Sequence, residues 1–143
     1  MKKEQLRIFL VDSDPVFLKS LETEFQQLEN SEVEVFSTGE LCLENIDKNP
    51  DVIILDYQVN KDTVGRLSGI EALDKIKTSK PQIPVIIVSS DDTMDIAAES
   101  MRHKAHDYVA KNNTTFFRLQ SIITGISKMR SLEKELDWYM RRM

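Results

Sequence analysis

The chain lacks most of the features that would take it out of the ordinary soluble class. It has a single cysteine, Cys42, so no disulfide can form within it. Cys42 stands in "GELCLENI", a stretch of helical spacing where a small buried apolar residue is expected rather than a redox centre. Glycine is scarce, and neither G-x-x-x-x-G-K-[ST] nor G-x-G-x-x-G occurs, which removes the phosphate-cradling loops of nucleotide sites. No histidine, serine and aspartate stand in hydrolase order. No apolar run approaches the roughly 18–20 residues of a membrane span. The opening "MKKEQLRIFLV" is basic, but its apolar run is shorter than a signal core and is followed at once by acids, so a cytoplasmic protein without a membrane partner is expected. An excess of positive charge is missing too: the formal net charge is -5, which argues against nucleic acid as a direct partner.

What remains is a chain of 143 residues, 41% hydrophobic and 30% charged, enough for one compact domain with a proper core. Apolar runs of strand length recur: "LRIFLV" (6–11), "VEVF" (33–36), "VIIL" (52–55), "PVIIV" (84–88) and "YVA" (108–110). Segments of helical spacing separate them. The first is opened by Pro15 and carries Phe17, Leu18, Leu21, Phe25 and Leu28; the others span Gly39–Asn49, Gly69–Lys80 and Asp92–His103, and a last helix runs from Thr114 to the end. Strands alternating with helices require crossovers, hence a parallel sheet covered on both faces, which explains why "VIIL" and "PVIIV" are continuous rather than alternating.

In such sheets ligands collect outside the carboxyl ends of the strands. There the sequence places "VDSDP" (Asp12, Ser13, Asp14) after the first strand and Asp56 after the third. "SSDD" (Ser89, Ser90, Asp91, Asp92) follows the fourth, and Lys111 follows the fifth. Carboxylates held close repel one another unless a cation neutralises them, and hard oxygen ligands suit Mg²⁺. A metal, an ammonium and a hydroxyl are what a phosphoryl group needs while it passes to a carboxylate nucleophile.

With these motifs in this order, residues 6 to about 126 resemble the receiver domains of bacterial two-component response regulators. The resemblance implies an α/β fold of flavodoxin-like, receiver type: a doubly wound five-stranded parallel sheet, here with an extended C-terminal helix. It implies that Asp56 accepts a phosphoryl group from a sensor histidine kinase or phosphotransfer protein, and that Lys111 and Ser89 assist. Ser89 and Tyr108 would be the switch pair, and Asp12, Asp56 and the backbone carbonyl of Gln58 would hold Mg²⁺. The face built from the fourth helix, fifth strand and fifth helix would then bind a downstream partner or a second copy. Such a module signals and is not a turnover enzyme.

The sequence departs from the family pattern in four places, one of them Asn112, which follows Lys111 where Pro is common. Ser13 stands where a second metal-binding acid is usual, so weaker Mg²⁺ binding is expected; Asp14, next along, either reaches the pocket or caps the helix that Pro15 opens. Gln58 replaces the usual Asn. The loop "VNKDTVGRLS" before Gly69 is longer than the family norm, and reads either as a partner element or as a tolerated insertion. Two rival readings follow: a degenerate receiver that binds partners without phosphorylation, motivated by Ser13, and an aspartate-nucleophile phosphatase, disfavoured because Gln58 stands where such enzymes need a second Asp.

The domain is expected to span residues 1–127, with 128–143 as a helical extension. There Met129, Leu132, Leu136, Tyr139 and Met143 are spaced 3, 4, 3 and 4, a heptad-type pattern suited to a dimer or a partner helix. No helix-turn-helix follows, so direct transcription control by this chain is not expected.

Overall fold

The computed structural model describes residues 5–61 and 63–143; Met1–Glu4, the basic start of the chain, and Asp62, in the long loop, lie outside the described residues. Five strands, β1 (Leu6–Val11), β2 (Ser31–Phe36), β3 (Val52–Asp56), β4 (Val85–Ser89) and β5 (Asp107–Ala110), form one parallel sheet in the order β2-β1-β3-β4-β5. The order reverses between β1 and β3, and the crevice of a doubly wound sheet opens at that reversal.

Five α-helices cover the sheet: α1 (Pro15–Gln26), α2 (Gly39–Glu44), α3 (Gly69–Ser79), α4 (Met94–Arg102) and α5 (Thr115–Arg141). Each strand feeds both faces alternately. Phe9, Val11, Ile53, Leu55, Val85 and Ile87 join Cys42, Leu73 and Ile76 on one face. Ile8, Leu10, Val52, Ile54, Ile86 and Val88 join Leu21, Phe25, Leu119 and Ile123 on the other. All five residues of β3 and of β4 are buried, the condition that favours uninterrupted aliphatic runs. The buried Cys42 thiol is pushed up to about 12 by desolvation, which removes the thiolate a redox role would need.

Two expectations about helices change. The stretch Gly39–Asn49 is not one helix: α2 ends at Glu44, a 3-10 turn covers Ile46–Lys48, and Asn49 takes a left-handed conformation (φ 56°). Asn45 causes the break, since its amide nitrogen donates 2.8 Å to the Leu41 carbonyl and competes with the helix's own bonding. The fourth helix starts later than Asp92, at Met94, because the Thr93 hydroxyl accepts from Ile96 N and caps it.

At the sheet's outer edge, β2 alternates Glu32 and Glu34 with Val33 and Val35; Glu32 pairs with Arg7 (3.7 Å) and Glu34 with Lys48 (3.1 Å). The first half of α5 packs through Leu119, Ile123 and Ile126, and beyond Ile126 the helix leaves the body. It touches back through an ion pair of Arg130 with Asp51, just before β3. Among the described residues no helix is long and apolar enough to cross a membrane.

Candidate functional site

Strand register builds the site. Val11 pairs with Leu55, so the next residues, Asp12 and Asp56, stand side by side. Asp56 pairs with Val88, which puts Ser89 one step further out, and Ser89 pairs with Ala110, which does the same for Lys111. Asp12 and Asp56 are each 2% exposed and Ser89 is fully buried.

Lys111 is the centre of the cluster. Its Nζ donates to Asp12 Oδ2 at 2.7 Å, lies 3.1 Å from Asp56 Oδ1, and sits 4.3 Å above the centroid of the Phe17 ring. The geometry toward Asp56 is that of an ion pair without hydrogen-bond alignment, so Asp56 Oδ1 is buried with no hydrogen bond. Burial, then the adjacent Asp12 charge, raises the Asp56 carboxyl from 3.8 to about 6, against the opposing pull of Lys111. Burial lowers the Lys111 ammonium, but its bond and charge to Asp12 and the charge of Asp56 outweigh it and hold the group above its ordinary value. One ammonium therefore serves two carboxylates and leaves Asp56 under-compensated.

Around this core, the Gln58 amide donates from Nε2 to Ser89 Oγ at 2.7 Å, and its Oε1 accepts from Ser90 N at 3.4 Å. Ser89 Oγ in turn donates to the Asp91 carbonyl at 3.1 Å. Tyr108 is half-buried, and its hydroxyl donates to the same carbonyl at 3.1 Å. Ser89 and Tyr108 thus meet on one backbone oxygen at the start of the β4–α4 loop.

Of the candidate metal ligands, Asp12 and Asp56 converge, while Ser13 and Asp14 are exposed. Asp14 caps α1, its Oδ1 accepting from Val16 N at 3.0 Å and Phe17 N at 3.4 Å; this corrects the alternative that it reaches the pocket, because the first turn of α1 claims its carboxylate. The Gln58 carbonyl accepts from Lys61 N at 3.0 Å and keeps a second lone pair. Among the described residues no three of His, Cys, Asp and Glu are grouped to hold an ion. Two carboxylates, a carbonyl and a buried carboxylate oxygen without a hydrogen bond are hard donors that fit Mg²⁺, with one acid fewer than a strong site needs.

Sequence reasoning missed three supports. Phe17 lies beneath Lys111, legible only as an apolar helix position. The Gln58 side chain reaches Ser89, 31 residues away, a pairing that only the β3–β4 register creates. A Cβ at Gly69 would meet Tyr57 O at 2.6 Å and Asp56 O at 2.7 Å, so α3 rests on the backbone at the end of the strand that carries Asp56. The loop before it is tied down where Glu40 Oε2 accepts from Leu67 N at 3.1 Å.

Comparison with known proteins agrees with this architecture. Residues 8–124 match the family described as the response regulator receiver domain. Among curated relatives, the luminescence regulatory protein LuxO of Vibrio campbellii is 26% identical over 107 residues, which are 74% of this chain and 22% of that protein. The transcriptional regulatory protein MctR of Rhizobium johnstonii is 25% identical over 80% of this chain and 52% of its own length. The regulatory protein AtoC of Escherichia coli is 28% identical over 91% of this chain and 27% of its own. The chain therefore spans between about a fifth and a half of these relatives' lengths. The receiver domain of a LuxO repressor from Vibrio parahaemolyticus superposes with a TM-score of 0.78 at 22% identity, covering 92% of this chain and 97% of that one. The BeF3-activated receiver domain of DrrB gives 0.73 at 25% identity, covering 87% and 98%. With its five-stranded doubly wound sheet and a match over most of its length, the chain belongs to the response regulator receiver domain family, the signalling modules of two-component systems.

Proposed function

We propose that this receiver domain is a phosphorylation switch whose acceptor is Asp56. The observation that carries the reading is the buried Asp56 carboxylate, held beside Asp12 and only partly compensated by Lys111. In the proposed step an Asp56 oxygen attacks the phosphorus of a phosphohistidine on a sensor kinase or phosphotransfer protein. The P–N bond breaks, and the imidazole nitrogen leaves with the electron pair. Lys111 balances charge on the phosphoryl oxygens, and Asp12 holds Lys111 in place. Asp12, Asp56 and the Gln58 carbonyl would hold Mg²⁺, which supplies further neutralisation of the phosphoryl oxygens when bound.

Ser89 is the near hydroxyl for the new acyl phosphate. To reach it, Ser89 gives up its bond from Gln58 and the one it donates to Asp91 O, and Tyr108, which shares that carbonyl, is released with it. The face of α4, β5 and α5 is where this rearrangement meets a downstream protein. Residues 1–127 form the phosphoryl-accepting body in this reading, and 128–143 an extension. The absence of a third acid favours a second reading, a partner-binding module that works without phosphorylation.

Incubation with acetyl phosphate and Mg²⁺, followed by intact-mass measurement, separates the two. The switch reading expects ~80 Da of added mass, abolished in Asp56→Ala. No added mass at saturating donor favours the second reading, and Mg²⁺-dependent turnover of a generic phosphomonoester would make the chain a phosphatase instead.

A further inference from the structure

The part of α5 that leaves the body carries a row of apolar side chains exposed among the described residues: Met129, Leu132, Leu136, Tyr139 and Met143. Written as a heptad with Met129 at a, these are a, d, a, d and a. The row continues backward to exposed Gly125 at d, while Ile122, at the preceding a, is half-buried and packs on the core of the body. The stripe that packs on the sheet, Leu119, Ile123 and Ile126, occupies positions e and b, about a quarter turn away. Arg130, also at b, is held by Asp51 on that same body-facing side. From Gly125 onward the a/d row is therefore turned away from the body. Gly125 adds a second sign: in a helix interior glycine is unfavourable, nothing lies within 4 Å of the position its Cβ would take, and on this row it lets another helix come close.

The flanking charges choose the occupant. In a parallel, in-register pair, position g of one helix faces position e of the next heptad in its partner, so Lys128 meets Glu133 of the second copy, twice by symmetry. In an antiparallel pair with the same core layers, every charged flanking contact joins like charges, Lys128 with Arg142, Glu133 with Glu133 and Glu135 with Glu135, while Ile126 faces Met140. Arg142 is fixed on its own helix, 4.3 Å over the Trp138 ring. We propose that α5 dimerises this chain with a second copy as a parallel coiled coil through Gly125, Met129, Leu132, Leu136 and Tyr139. A seam of about two heptads makes a weak, concentration-dependent dimer, and it forms without phosphorylation of Asp56.

The test is sedimentation equilibrium of the full chain from micromolar to millimolar concentration, with acetyl phosphate absent. A reversible monomer–dimer equilibrium is expected, lost in Leu136→Glu while the far-ultraviolet spectrum of the body persists. Lys128→Glu should weaken the dimer roughly threefold, and adding Glu133→Lys should restore it. In the antiparallel arrangement Lys128→Glu would instead tighten association by meeting Arg142, and that outcome overturns the proposal. A chain that stays monomeric at every concentration overturns it as well, and leaves the row to a different partner.

Discussion

Asp56 is held in a protein that would be more stable if it were neutral. Its folded pKa, about 6, lies above the unfolded value of 3.8, so the folded state binds the proton more tightly. Stability contributed by this group is full below about pH 4 and falls as pH rises to about 6; above that the penalty is complete. Asp56→Asn should therefore stabilise the domain at pH 7.5 by on the order of 2 kcal/mol, with the advantage vanishing toward pH 4; thermal melts across that range read it directly. A difference that grows toward low pH would contradict the geometry. Ser13 offers the complementary change. Because it is exposed beside Asp12, Ser13→Asp can add the missing carboxylate without burying a charge, and should tighten Mg²⁺ binding roughly tenfold by isothermal titration calorimetry. At this scale the placement of Asp12, Asp56, Ser89 and Lys111 was legible in the sequence, because each follows an unmistakable aliphatic run. The Gln58–Ser89 bond was not, since it depends on how two strands align and on the reach of one amide.

Elements set these side chains, and the tightest joint is between α3 and the end of β3. Gly69 opens α3 under a capping box formed by Ser68 and Glu71, and a Cβ there would fall 2.6–2.8 Å from backbone atoms of Asp56 and Tyr57. Gly69→Ala should cost about 1–3 kcal/mol in urea unfolding, and should slow phosphorylation of Asp56 by moving the strand end. The same substitution would be harmless if the helix merely began there by propensity. Elements with clear caps or strong apolar spacing were readable in advance: Pro15 for α1, Gly69 for α3, and the run from Phe116 through Ile126 for α5. The unbroken helix expected over Gly39–Asn49 failed because its apolar spacing persisted through Ile46 while Asn45 was already bonding to Leu41. Periodicity reports which face is buried and is blind to a local side-chain competitor.

For the molecule as a whole, the cluster at the strand ends lies at one end of the sheet and the projecting part of α5 leaves from the other. Asp12, Asp56, Ser89 and Lys111 sit where the strands finish, while Arg130 grips Asp51 where β3 begins, so α5 departs from the side opposite Asp56. A dimer built on α5 would leave both acceptor sites open to a kinase, and phosphorylation rates should not change between dilute and concentrated protein.

The outer strand has a consequence for the behaviour of the protein in a crowded cell. A parallel sheet of this kind has two open borders, and an open border can recruit a strand from any other chain. Here β5 is only four residues long, and β2 carries Glu32 and Glu34 on the rim, each held by a basic neighbour. With both replaced by valine, β2 would read Ser-Val-Val-Val-Val-Phe, a smooth apolar ribbon of the sort that seeds fibrils. Those two glutamates touch nothing in the Asp56 cluster, and their charges oppose the pairing of β2 with a strand from another chain.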